Sequence, residues 1–138
     1  MTALLCLSVA GLVIAQLPGG DFTLAWQHSI EKVRWEEDYR LDSGLLTLTE
    51  ARVRGSGAGM EIPADAHFQD GRWRYVPDIA PLAILRLGRS TFVGDYDLCQ
   101  AGHCSPLARW LGEPNGEPVD VQACEHLAQG QRMPGSSN

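Results

Sequence analysis

The sequence predicts an all-β domain, and three observations support this prediction. Fifteen glycines and eight prolines are spread along the 138 residues, as expected when many turns connect short strands. Apolar and polar residues alternate with period two over long stretches beyond residue 20. A content of 44% hydrophobic and 20% charged residues is typical of a soluble globular chain with one core. We therefore predict a single β-sandwich or partly open barrel of about seven mainly antiparallel strands.

The first apolar stretch, residues 3–17, is predicted to be a targeting segment. It carries no charge and is dominated by Leu, Val, Ile and Ala. Because a membrane-spanning helix needs about 20 apolar residues, a cleaved signal peptide is preferred over an uncleaved anchor or a buried helix. Export to the periplasm or to the outer face of the inner membrane follows from either of the first two alternatives. The predicted division is a signal peptide or anchor over 1–17, a β-domain over 21–128 and a flexible tail over 129–138.

The next two strands form a predicted hairpin. Residues 22–30 alternate between apolar and polar side chains, and residues 33–41 repeat the pattern. A tight turn at 31–32 sets Trp26 opposite Glu37 and places the apolar side chains of both strands on one face. A displacement of one residue would move every side chain to the wrong face.

The remaining elements are predicted from turn signals and short apolar runs. The Asp42-Ser43-Gly44 stretch predicts a turn, so residues 45–54 follow as the third strand of a meander. Glycine-rich residues 55–59 then interrupt the pattern. Later strands are predicted at 72–76, 82–87, 91–99 and 119–124, and one helical turn at 107–111.

Charge and motif content exclude several classes of function. The formal net charge is −6, and no cluster of Lys and Arg is present, so nucleic acid is not an expected partner. Ser29 follows His28 directly, and neighbouring strand residues point to opposite faces, so they cannot form a nucleophile–base pair. The sequence also lacks a Gly-x-Ser-x-Gly elbow. We expect no enzymatic activity, no catalytic residue and no cofactor.

One pair of side chains on the predicted apolar face can serve binding. His28 and Glu37 are diagonal neighbours in the predicted register. As a functional pair they would bind a ligand, a metal or a polar group of a partner. The alternative is a structural hydrogen bond that satisfies two buried polar groups.

The glycine-rich segment has two interpretations. Its backbone N–H groups could bind an anion, as glycine loops do at the start of a helix. Residues 60–63 do not continue as a helix, and the spacing matches neither a Rossmann nor a Walker motif. A turn or bulge that packs against a neighbouring strand is the preferred interpretation.

The cysteines predict a disulfide. Cys99 and Cys104 flank a short turn and readily pair in an exported protein, while Cys124 remains as an alternative partner for either of them. Zinc binding by these cysteines with His103 and His126 is disfavoured, because their spacing matches no zinc finger and the compartment is oxidising. We predict no metal site.

Tryptophans and arginines offer two further candidate surfaces. The four tryptophans could form a stacking or partner-binding surface, although two of them fall on the predicted core face. Several arginines would bind a carboxylate-bearing ligand if they converged, and solvated strand faces explain them equally well. These arginines are Arg52, Arg54, Arg72, Arg74, Arg86 and Arg89.

Three short segments occur in a characteristic order. They are His28-Ser29-Ile30-Glu31, then Glu37-Asp38-Tyr39, then Gly57-Ala58-Gly59-Met60-Glu61. With the strand that begins at Phe22, this order resembles the opening part of the sequences in a bacterial family catalogued as domain of unknown function 1850. The resemblance covers roughly the first half of the chain. The ligand- or partner-binding candidates are therefore His28, Ser29, Glu31, Glu37, Gly57, Gly59, Met60 and Glu61.

The resemblance implies an association rather than an activity. Such domains are encoded beside, or fused to, the membrane subunits of TRAP transporters whose solute receptors are of the TAXI type. We therefore expect an exported accessory or interaction domain whose partner is the membrane subunit or the solute receptor, with a possible membrane tether through residues 3–17. The alternative is a small-molecule or metal-binding module that uses His28, Glu37 and the glycine segment.

Overall fold

The computed structural model describes residues 3–27, 33–54, 63–92 and 94–125. These residues form eleven β-strands and one helical turn, arranged as two antiparallel sheets that do not close into a barrel. The all-β prediction is confirmed in its sandwich form. In chain order the elements are β1 (Leu4–Val9), β2 (Leu12–Pro18), β3 (Asp21–Gln27), β4 (Arg34–Asp42), β5 (Leu45–Arg54), β6 (His67–Gln69), β7 (Arg72–Tyr75), β8 (Leu85–Leu87), β9 (Asp97–Gln100), β10 (His103–Pro106), α1 (Ala108–Leu111) and β11 (Val119–Cys124).

The two sheets differ in size. The smaller has the order β2-β1-β11-β8, and the larger has the order β10-β9-β3-β4-β5-β7-β6. The main core lies between them, where alternate side chains of each strand meet those of the opposite sheet. Its buried members are Leu5, Leu7, Leu17, Phe22, Leu24, Tyr39, Leu46, Leu48, Leu87, Leu98, Leu107, Val119 and Val121.

The predicted targeting segment is instead part of the folded domain. Residues 3–17 contain β1 and most of β2, which pair as a hairpin, and β1 also pairs with β11. Leu5 and Leu7 face the main core, while Cys6 is bonded to Cys124. Successive residues of β1 are therefore buried on both faces, which is why the segment is apolar throughout. The prediction of a signal peptide or anchor at 1–17 is corrected, and the β-domain begins before residue 21.

Helices long and apolar enough to span a membrane are absent from the described ranges. The predicted tail, residues 129–138, lies outside those ranges.

The β3–β4 hairpin has the predicted facing but a different register. Trp26 pairs with Trp35, and Leu24 pairs with Glu37, a displacement of two residues from the prediction. Because side chains alternate with period two, this displacement keeps the same residues on the core face. β3 ends at Gln27 and β4 begins at Arg34 in the described structure, and the turn predicted at 31–32 lies outside the described residues.

Later elements match the predictions in part. The strand at 45–54, the strand at 119–124 and the helical turn are confirmed. The run at 91–99 becomes a strand only from Asp97. Asp95 is the reason, because its carboxylate accepts hydrogen bonds from the backbone N–H groups of Tyr96 and Ala108, at 2.9 and 2.8 Å. At this point the Asp95 carboxylate, rather than the backbone of a neighbouring strand, accepts the hydrogen bonds of these N–H groups.

Four hairpins use the same kind of turn. Ser43-Gly44, Asp70-Gly71, Ala10-Gly11 and Ala101-Gly102 all have positive φ at both residues, from 50° to 81°. This left-handed pair is the two-residue turn whose twist matches that of antiparallel strands. Only the turn at Ser43-Gly44 was predicted from the turn residues themselves.

Candidate functional site

The solvent face of the larger sheet carries a network of ion pairs. Arg52, on β5, donates to Asp38 at 2.6 and 2.7 Å, to Glu50 at 2.7 Å and to Glu36 at 3.1 Å. Arg72 donates to Glu36 at 2.6 Å, which extends the network to β7. Every acid in this network belongs to the same sheet, so the arginines are matched within the fold.

The network shifts the pKa values of its members. Burial alone would raise the pKa of Glu36, but the hydrogen bonds and charges of Arg52 and Arg72 outweigh it and lower the value. The pKa of Asp38 is lowered in the same way, with further help from the hydroxyl of Thr23. The hydrogen bond to Asp38 is the main reason that the pKa of Arg52 is raised. All these groups remain charged at neutral pH.

Two other arginines are paired individually. Arg86 donates to both carboxylate oxygens of Asp120, at 2.7 and 3.0 Å. Arg89 is 6% exposed, donates to Asp95 at 2.9 and 3.2 Å, and donates to the carbonyl of Gly112 at 2.8 Å. These arginines are spread over separate partners, so the predicted convergent site for a carboxylate-bearing ligand does not form from them.

The opposite, core-facing side of the larger sheet places Glu37 among apolar neighbours. Antiparallel pairing sets Glu37 between Leu24 of β3 and Ala51 of β5, and sets Tyr75 of β7 beyond Ala51. Two residues further along β4, the Tyr39 hydroxyl donates to Glu37 Oε1 at 2.8 Å. A half-buried carboxylate therefore lies on the face that forms the core.

Three tyrosines interact electrostatically with the Glu37 carboxylate. Burial raises the pKa of Glu37, against the lowering effect of the Tyr39 hydrogen bond. Burial, followed by the negative charge of Glu37, raises the pKa values of Tyr75 and Tyr96. The pKa of Tyr39 is raised by the same two causes and by its hydrogen bond to the acid. In the described part of the chain, no cation pairs with Glu37.

A row of aromatic rings crosses the same face of the sheet at the level of Trp35, which precedes Glu37 by two residues on β4. The rings of Trp26 and Trp35 are stacked with centroids 6.2 Å apart, and Tyr96 packs on Trp26 at 5.5 Å. Further along, Val53 separates Trp35 from Trp73. Trp26 and Tyr96 pack against the edge of the main core, which accounts for the stacking surface as a half-buried extension of that core.

Two indole groups in this row have unused donors. The Nε1 atoms of Trp35 and Trp73 are buried and find no hydrogen-bond acceptor among the described residues. An unpaired buried donor costs free energy, so such positions are unusual in a folded protein.

A cavity of about 600 Å³ adjoins the aromatic row. Trp26 and Tyr96 form one wall, and the fully exposed ring of Phe92 stands at the opening, with 94% of its surface free. The Arg89–Asp95 pair supplies the charged groups of the described lining. The other lining residues are Gln27, Gly88, Ser90, Thr91, Gly94, Pro114 and Gly116.

Most of the candidate residues named from the sequence fall outside the described ranges. These are His28, Ser29, Glu31, Gly57, Gly59, Met60 and Glu61. Glu37 is described, and its hydrogen-bond partner is Tyr39. The predicted neighbour of Glu37 was His28, which lies outside the described residues, and the contact with Tyr39 was not predicted. The Glu-x-Tyr spacing is the signal that could have indicated it, because residues two apart on a strand share a face. Tyr75, Tyr96 and the cavity residues were missed, since strand pairing over long separations brings them to this face.

The cysteines form two disulfide bonds. Cys99–Cys104 is confirmed, and Cys124 pairs with Cys6 across β1 and β11. Cys6 was not among the predicted disulfide candidates because it lies in the segment predicted to be a targeting sequence, whereas the structure places it in β1. Cysteines that are bonded to each other have no thiolate to offer as a zinc ligand. No three His, Cys, Asp or Glu side chains cluster as metal ligands in the described ranges. Two disulfides are typical of a protein from an oxidising compartment.

Comparison with known proteins supports one family assignment. Neither a curated protein nor a solved structure gives a significant match. One family model, described as domain of unknown function 1850, matches residues 22–107, which is more than half of the 138-residue chain. The matched part spans β3 to β10 and so contains the whole larger sheet with Glu37 and the aromatic row. The chain belongs to the domain of unknown function 1850 family.

Proposed function

We propose that this protein is an exported, non-catalytic binding domain that serves a TAXI-type TRAP solute transport system. The cavity beside Trp26 is the observation that supports the binding role. The association with TRAP transport rests on the resemblance of the three ordered segments to their family. Its partner in this proposal is the transporter's membrane subunit or the solute receptor, at the periplasmic side of the membrane.

The cavity has the properties of a site for a small molecule. Its volume of about 600 Å³ lies within the usual range of ligand pockets. Trp26 and Tyr96 offer apolar surface, while Arg89 and Asp95 neutralise each other and leave no net charge from the pair. A ligand with an apolar body and a few polar groups fits this lining.

The same lining argues against catalysis. The Arg89 guanidinium and the Asp95 carboxylate are held by each other and by backbone groups, so their hydrogen bonds are made within the fold. Burial, with the charges of Glu37 and Asp95, raises the pKa of Tyr96. Tyr96 therefore remains a neutral phenol and is a poor base or nucleophile.

The proposal is tested by recovering the tagged protein from its own cells under mild conditions. Native mass spectrometry detects a bound small molecule, and proteomic mass spectrometry detects co-purified proteins. For the tagged protein with its natural sequence, we expect both a small-molecule adduct and co-purified TRAP subunits. Gly88→Phe should abolish the adduct, because the added ring enters open space in the cavity and meets no backbone strain.

Ala80→Phe is the matched control, because it adds the same ring at an exposed position outside the cavity. This variant should keep both the adduct and the TRAP subunits. Recovery of a folded protein with neither a small molecule nor any TRAP subunit would overturn the proposal. An adduct that survives Gly88→Phe would place the binding site elsewhere and refute the role of the cavity.

A further inference from the structure

Among the described residues, no cation pairs with the Glu37 carboxylate, although a half-buried acid normally requires one. In the described structure its only hydrogen bond is the one from Tyr39 to Oε1. A neutral hydroxyl does not compensate the charge, and a buried, unpaired carboxylate is destabilising. The arginines of this sheet do not help, because Arg52 and Arg72 are committed to the opposite face. The described part of the chain therefore supplies this acid with a hydroxyl donor and with no positive charge.

The surroundings of this acid are aromatic. Trp26 and Trp35 present stacked indole rings, and Tyr96 and Tyr75 lie on either side of β4. Aromatic faces carry negative electrostatic potential and attract cations, and indole does so most strongly. All four rings remain partly exposed, so a group from solvent can reach them.

The chemistry of the surroundings excludes other ligand classes. A second negative charge beside Glu37 would be repelled, so an anionic group does not fit here. A divalent metal needs several oxygen or nitrogen ligands, and no group of three His, Cys, Asp or Glu side chains that could hold one is found among the described residues. An alkylammonium group fits both features, because its charge pairs with the carboxylate and its methylene groups pack on the rings.

We propose that Glu37 and the rings of Trp26, Trp35, Tyr75 and Tyr96 form a recognition site for an alkylammonium group. We call this set the Glu37 site. It shares Trp26 and Tyr96 with the cavity lining, whereas Glu37, Trp35 and Tyr75 do not line the cavity. Two sources present the same chemistry, a free amine and a lysine side chain of a partner protein. The inference does not depend on the proposed role in transport.

Binding of n-butylammonium tests the site, because this ion reproduces the end of a lysine side chain. Tryptophan fluorescence is followed during titration at about pH 7, where the amine is charged. n-Butanol is the uncharged control ligand. We expect saturable quenching by the amine, with affinity at least about tenfold higher than that of butanol. Equal affinity for butanol would overturn the proposal.

Variants assign the binding to the named residues. Glu37→Gln should weaken butylammonium binding by at least about tenfold while the protein stays folded. Asp42→Asn is the matched control, because it removes the same charge from the exposed end of the same strand, and it should bind as the natural sequence does. Unchanged binding by Glu37→Gln would overturn the proposal.

Two further variants separate this site from folding defects and from the cavity. Tyr75→Leu keeps apolar bulk but removes a π face, so it should weaken the amine severalfold and leave butanol unaffected. Gly88→Phe fills the cavity but leaves Glu37, Trp35 and Tyr75 unobstructed, because these three residues do not line it, so amine binding should be retained. This result distinguishes failure of this site from failure of the proposed function. Loss of binding in Gly88→Phe with retention in Tyr75→Leu would overturn the assignment.

The source of the ammonium group is then identified directly. An amine released when protein from its own cells is denatured shows a free ligand. A lysine-containing peptide that competes with butylammonium, with no released amine, shows a partner side chain. If no amine is released and no lysine-containing peptide competes with butylammonium, the physiological role of the site is overturned.

Discussion

Neighbouring residues of β4 carry acids with opposite electrostatic roles. Glu36 and Asp38 face solvent and pair with arginines, which lowers their pKa values even though burial opposes this. Glu37 faces the core, where burial raises its pKa. The charges of the outer acids therefore stabilise the fold above the ordinary carboxyl pKa, whereas the charge of Glu37 destabilises it.

Replacement of Glu37 by glutamine should stabilise the protein at neutral pH. A raised pKa means that the folded state holds the Glu37 proton more tightly than the unfolded state does, so ionisation above the ordinary value of 4.5 removes stability. Glutamine lacks this charge and keeps an oxygen that can accept the Tyr39 hydrogen bond. Thermal melting over a pH series should show a higher Tm for Glu37→Gln at neutral pH and no gain below the ordinary carboxyl pKa. A gain that does not depend on pH would contradict this account.

Local sequence patterns revealed only part of the Glu37 site. Glu37 and Tyr39 were accessible to prediction, because a two-residue spacing on a strand fixes a common face. Tyr75 and Tyr96 were not, because they reach the site through the β5–β7 pairing and the β3–β9 pairing. A sequence pattern within one strand holds no information about these distant pairings.

At the scale of elements, the turns explain which strands could be predicted. Asp42-Ser43-Gly44 combines typical turn residues, and the strand that follows was predicted with its observed limits. The Ala10-Gly11 turn contains no polar residue, so β1 and β2 together resemble one continuous apolar run. That hidden turn is the physical reason for the incorrect prediction of a targeting segment.

The alanines in these turns are predicted to be suboptimal. Ala10 and Ala101 have φ of 51° and 50°, in the left-handed region that disfavours alanine and suits asparagine. Ala101→Asn should raise the free energy of unfolding by about 0.5–1 kcal/mol, and Ala10→Asn by a similar amount. Chemical denaturation measures both changes. Ala80→Asn, in an exposed segment without positive φ, is the control, and an equal effect there would contradict the turn explanation.

At the scale of the whole molecule, the two disulfides constrain the chain very differently. Cys99–Cys104 closes a separation of only 5 residues within one hairpin, whereas Cys6–Cys124 closes a separation of 118. The longer bridge joins β1 and β11, which lie side by side in the smaller sheet. Loss of chain entropy in the unfolded state is greater for the longer loop.

Removal of the two bridges should therefore have unequal effects. The chain-entropy relation gives about 5 kcal/mol for Cys6–Cys124 and about 2 kcal/mol for Cys99–Cys104. The Cys6→Ser/Cys124→Ser variant should lose clearly more stability than the Cys99→Ser/Cys104→Ser variant in denaturant titrations. Each is compared with the natural sequence under the same oxidising conditions. Equal losses would show that local packing, rather than loop length, determines the contribution of each bridge.

The pairing of β1 with β11 also governs how the domain would respond to a pulling force. Leu4 lies opposite Cys124, and the Cys6–Cys124 bond connects the two strands close to the points where the chain enters and leaves the described fold. Tension applied through the flanking chain would pass through this disulfide bond rather than through the chain between the two cysteines, which are 118 residues apart in sequence. With the bridge intact, the core, the cavity and the Glu37 site would carry almost none of the load. The domain would therefore transmit tension while remaining folded.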